Sequence, residues 1–117
     1  MDKKDNIKKE IKNCDDEIDK SKNKVKQLNE LEENFVLLDR SFGKYLDLLS
    51  TSVKGHKAKV ILDESYEFKN KSINESLEEL SKDRDVYTNK IKEYTNNREK
   101  LEEKYKENVN NKENEDK

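Results

Sequence analysis

Between Ile7 and Leu49 an apolar residue recurs every three or four positions. The series is Ile7, Ile11, Cys14, Ile18, Val25, Leu28, Leu31, Phe35, Leu38, Phe42, Leu46 and Leu49, with Ser21 standing in the one gap. A second ladder runs Ile73, Leu77, Leu80, Tyr87, Ile91, Tyr94, Leu101 and Tyr105. Alternating steps of four and three give a mean period of ~3.5, the seam of a coiled coil. Proline, which would interrupt such a ladder, is absent, and the only glycines are Gly43 and Gly55. The pattern predicts an all-α fold: an antiparallel two-helix hairpin, coiled-coil-like, completed into a bundle by a partner chain.

Helix one is expected over about 4–53, with Asp2 and Asp5 suiting the positive end of its dipole. The break falls in Ser50-Thr51-Ser52-Val53-Lys54-Gly55-His56-Lys57. Its hydroxyls and glycine lower helix propensity and offer a cap at Gly55. Val60-Ile61-Leu62 is β-branched enough for a short extended segment, which places the hinge at about 54–62. Helix two then covers about 63–105, its restart falling either directly at Lys57 or only after Asp63 or Ser65 acting as N-cap. Residues 1–105 form the hairpin. Residues 106–117 carry Val109 as their single apolar side chain and are expected to be a charged, disordered tail.

If the chain folds back about Gly55, facing residue numbers sum to roughly 111. The hairpin seam then joins Ile11, Ile18 and Leu28 of helix one to Leu80, Ile91 and Leu101 of helix two. Arg84 and Arg98 stand where the second ladder expects an apolar residue, and Arg84 falls beside Glu32. Polar residues on a seam fix register at a cost in stability, while their stems still pack.

The apolar stripe is narrow from Ile7 to Leu28 and widens from Phe35 onward. At ~100° per residue, Leu37 and Leu48 lie about 20° apart and well away from Phe42 and Leu46. Helix two mirrors this, with Val60, Ile61, Leu62, Tyr66 and Phe68 crowded together. A hairpin has one interior and cannot cover two faces. The surplus residues Phe35, Val36, Leu37, Leu48, Val60, Ile61, Tyr66 and Phe68 are therefore read as a partner interface.

Composition narrows the function. The chain is 46% charged and 29% hydrophobic, which approaches the disordered regime, but two ladders in phase argue for helices. Its 26 basic and 28 acidic residues are interspersed, so no face is plainly basic and nucleic acid is not an expected partner. No stretch approaches the ~20 apolar residues of a membrane span, so no membrane insertion is expected. Met-Asp-Lys-Lys-Asp lacks the apolar core of a signal peptide. The expected location is the cytoplasm, with export in company of a partner as the route that leaves no such trace. Cys14 is alone on the seam and reads as a small buried hydrophobe. His56 is the one histidine, and no Cys/His pair, phosphate loop or zinc spacing exists. No catalytic residue, cofactor or metal is expected.

The stretch from Leu28 to Phe42, Leu-Asn-Glu-Leu-Glu-Glu-Asn-Phe-Val-Leu-Leu-Asp-Arg-Ser-Phe, resembles a group of small helical proteins from Gram-positive bacteria. These are encoded beside LXG-domain toxins of the type VIIb (ESX-like) secretion system. Their pattern is Leu-x-x-Leu-Glu-x-x-Phe, an Arg-Ser pair, an aliphatic-rich turn and a second charged helix. Leu28, Leu31, Glu32, Phe35, Arg40 and Ser41 match it. The resemblance implies a WXG100-like hairpin, non-enzymatic, that serves as a targeting factor or chaperone. Its partner is the helical N-terminal domain of an LXG-type toxin, bound together with a second small helical protein. Two departures stand out. Val53-Lys54-Gly55 occupies the turn in place of Trp-x-Gly, and Tyr94 and Tyr105 lead to Arg98 and Val109 rather than to an acid four residues on. Phe35-x-x-x-Asp39 has the form of the related Phe-x-x-x-Asp targeting motif, placed mid-helix. The alternatives are a prefoldin-like chaperone subunit, which needs two strands from a short, lysine-rich hinge, and a self-associating structural coiled coil.

Overall fold

The computed structural model describes residues 3–115, with side chains placed over 3–110. The chain is an all-α antiparallel two-helix hairpin: α1 spans Lys3–Ser52 and α2 spans His56–Glu115. Asp5 lies in the first turn of α1, where an acid is favourable.

The end of α1 is built by its hydroxyl run. Ser50 donates to the Asp47 carbonyl at 2.6 Å and Thr51 to the Leu48 carbonyl at 2.8 Å, giving partners to groups near the helix end. Val53 N–H still reaches the Leu49 carbonyl at 2.9 Å. The chain then turns at Gly55, whose φ of 102° is a conformation that a Cβ disfavours. Lys59 N–H donates to the Gly55 carbonyl at 3.2 Å, so α2 is under way within one turn.

The connection is therefore only Val53–Gly55, and the expected hinge over 54–62 is corrected. Val60, Ile61 and Leu62 are helical, because branching at Cβ costs a helix only tenths of a kcal/mol, which neighbouring turns offset. Asp63 and Ser65 are interior to α2 rather than its N-cap, and Ser65 donates back to the Ile61 carbonyl at 2.9 Å. The far end also differs. α2 continues past 105 to Glu115, so the expected disordered tail is helical over 106–115, and residues 116 and 117 lie outside the described residues. Lys, Glu and Asn are all compatible with helix.

The chain divides into two compact units, one from Met1–Lys26 with Asp85–Lys117 and the other from Gln27–Arg84. In the first, Cys14, Ile18 and Ser21 are buried, while Ile11, Ile91 and Leu101 are half-buried. Ser21, the apparent gap in the ladder, is thus core. Arg98 bonds Asp15 across the pair and Glu102 along α2, which holds its guanidinium above the ordinary arginine value, the Asp15 hydrogen bond being the larger cause. The Lys4 and Lys8 ammonium groups stand 5.6 and 5.7 Å from the Tyr105 ring centroid.

In the second unit Leu46 and Leu80 are buried and Leu28 is half-buried. Polar contacts cross between the helices. Arg84 pairs with Glu32 and donates to Asn29 at 3.0 Å, Lys69 pairs with Asp39 at 2.9 Å, and the Tyr66 hydroxyl donates to Asp47. Asp39 with Lys69 and Glu32 with Arg84 fall on either side of the expected register.

Candidate functional site

The second unit buries less of its apolar surface than its sequence offers. Leu37 is 58% exposed, Leu48 70%, Ile61 63% and Phe68 71%, and Val60 is exposed as well. Phe35, Val36 and Tyr66 are half-buried. Phe35 lies on the inward side of α1, and Tyr66 is occupied by Asp47, which raises its phenol above the ordinary tyrosine value chiefly through that hydrogen bond. The residues read as one interface therefore divide into an exposed set and a set turned toward the partner helix. Asp39, the second residue of the Phe-x-x-x-Asp form, is half-buried and tied to Lys69.

Leu31, Leu38 and Phe42, expected on the hairpin seam, are exposed instead, and Tyr45 joins them. The reason lies one residue further along. The inward positions of α1 in this unit are Leu28, Glu32, Phe35, Asp39, Leu46 and Leu49, each buried or half-buried. Glu32 and Asp39 hold seam positions that a polarity ladder assigns to their apolar neighbours, because each meets a cation from α2. Leu31 and Leu38, one residue back, are thereby turned ~100° away from the seam. Nothing in α1 alone signals this. The signal is Lys69 across the pair, whose side chain is only 11% exposed.

Two open grooves result, both within this unit. One is mainly apolar, lined by Leu38, Phe42 and Tyr45 of α1 and by Phe68 and Ile73 of α2, together with Ser41, Lys69 and Ser72. The other is mixed, lined by Glu33, Val36, Leu37 and Arg40 with Arg84. Among the described residues no cluster of histidine, cysteine and acidic side chains could hold a metal ion, and no helix is long and apolar enough to cross a membrane. His56 is exposed in the first turn of α2.

Comparison with protein-family models, with curated proteins and with solved structures finds no match.

Proposed function

We propose that this chain is a non-enzymatic helical adaptor. It binds the elongated helical N-terminal domain of an LXG-type toxin in the cytoplasm, with a second small helical protein, and supports the toxin's export by a type VII-like secretion system. The observation that carries the reading is the gathering of exposed Leu37, Leu48, Ile61 and Phe68 in one unit of a charged hairpin. Returning side chains so exposed to an apolar contact is worth roughly 1–2 kcal/mol each. Four of them are enough to offset much of the entropy lost on association. The resemblance of Leu28 to Phe42 to the LXG-associated proteins supplies the class of partner.

Co-expression with the helical domain of an LXG toxin, followed by affinity capture, tests this. The expected result is a stable complex. Ile61→Glu and Phe68→Glu are expected to weaken it about tenfold or more while leaving the circular-dichroism helix signal unchanged. Failure of the unaltered chain to capture any such domain overturns the reading. The prefoldin-like alternative loses ground on length, since the connection Val53–Gly55 leaves no residues for a pair of strands.

A further inference from the structure

The mainly apolar groove of the second unit extends along both of its helices. Leu38, Ser41 and Tyr45 line it on α1, and the same line of three- and four-residue steps takes in Asn34 and Leu31, with no charge among the five. Phe68 and Ser72 line it on α2. That line runs back through Ser65 to Ile61, still uncharged, and forward to Glu75 and Glu79. Leu31, Leu38, Tyr45, Ile61 and Phe68 are all exposed. Each wall therefore repeats at the period of a coiled-coil seam, and the α2 wall from Ile61 to Glu79 is ~27 Å long. A trough with that period on both sides fits a third helix laid along it, as in a helical bundle.

The far end of the α2 wall sets the chemistry of that helix. Glu75 and Glu79 are exposed, stand one turn apart and repel along α2. They lie between Lys69 and Arg84, and Asn34 and Leu38 lie between the α1 partners of those two cations, so the acids border the same stretch of trough. Among the described residues neither acid enters an ion pair. A helix seated there takes both carboxylates partly out of water, which is costly unless cations accompany it. Lysine or arginine along its edge supplies them and relieves the repulsion within α2. An uncharged or acid-edged helix leaves that cost standing.

We infer that the trough seats one amphipathic helix of a foreign chain, with apolar side chains against Leu31, Leu38, Tyr45, Ile61 and Phe68 and basic ones against Glu75 and Glu79. The inference rests on the adaptor reading for the foreign origin of that helix, and adds where the helix lies and which charge it carries. Apolar contact supplies affinity, and the acid pair selects among apolar helices.

Two synthetic helices of about 21 residues test the seat, each with leucine in alternate steps of three and four, one edged with lysine and the other with glutamate. Fluorescence anisotropy with the full chain is expected to show the lysine-edged helix bound about tenfold more tightly. Glu75→Lys with Glu79→Lys is expected to reverse that preference, and Glu75→Gln with Glu79→Gln to abolish it. Asp16→Lys with Asp19→Lys makes the same change in net charge within the other unit and is expected to leave the preference in place. Circular dichroism checks that every variant is helical. Binding of neither helix overturns the inference. So does a preference that survives Glu75→Lys with Glu79→Lys, or one that follows the Asp16 and Asp19 changes equally. The lysine preference in a chain that captures no toxin domain leaves the seat and removes the adaptor; toxin capture weakened by Ile61→Glu but untouched by Glu75→Lys with Glu79→Lys does the reverse.

Discussion

Arg84 and Lys69 perform related tasks in the second unit, yet only one could be read in advance. Arg84 occupies an apolar register position of the second ladder, so its pairing with Glu32 follows from the period. Lys69 sits among ordinary charged residues, and Asp39 looks like one more solvated acid. Only the crossing of the two helices, with Lys69 lying over the Cβ-free face at Gly43, turns them into a seam contact. Sequence periodicity detects apolar residues in phase; it does not detect a polar pair that satisfies itself across an interface. Tyr66 belongs to the same group. Its phenol is raised by the hydrogen bond to Asp47, so the folded state holds its proton more tightly than the unfolded chain. The resulting stabilisation is fully present below the ordinary tyrosine value of about 10 and is lost as pH rises through the folded value. Thermal midpoints of the natural chain and of Tyr66→Phe, measured between neutral and strongly alkaline pH, should converge above about pH 10. A gap that does not change with pH would show that the bond carries no such linkage.

At the scale of elements, the two helices and their antiparallel return were legible because the apolar period persists for many turns. Their ends were not. The start of α2 at His56 and its continuation to Glu115 rest on backbone bonding rather than on side-chain pattern. A β-branched run such as Val60-Ile61 and a charged run such as 106–110 are each weak evidence against helix. What fixes the turn is Gly55. A Cβ there meets nothing within 4 Å, so space is no obstacle, and the penalty comes wholly from its φ of 102°. Gly55→Ala is accordingly expected to cost about 1 kcal/mol in urea unfolding, without change in m-value. A neutral result would mean that the backbone of the connection relaxes to a conformation open to any residue.

For the molecule as a whole, the sequence announced that the region beyond Phe35 holds more apolar surface than one hairpin hides, but misassigned part of it. Leu31 and Leu38 belong to the surplus, and Phe35 to the seam. The error came from treating apolar and inward as the same property, which holds only where every inward position is apolar. The connection Val53–Gly55 has a further consequence, in time rather than in space. Contacts between the helices span a separation of 19 for Tyr66 with Asp47, 52 for Arg84 with Glu32 and 83 for Arg98 with Asp15. Closing the shortest loop first leaves each later contact only a small extension to fix, so pairing should advance from the turn toward the chain ends. A flexible Gly-Ser segment inserted after Lys54 should then slow refolding markedly and leave the unfolding rate almost untouched in stopped-flow denaturant series. Equal effects on both rates would place the first contacts elsewhere. On this route the turn works as a kinetic starting point, and the contacts farthest from it, such as Arg98 with Asp15, are the last to form and the first to be lost.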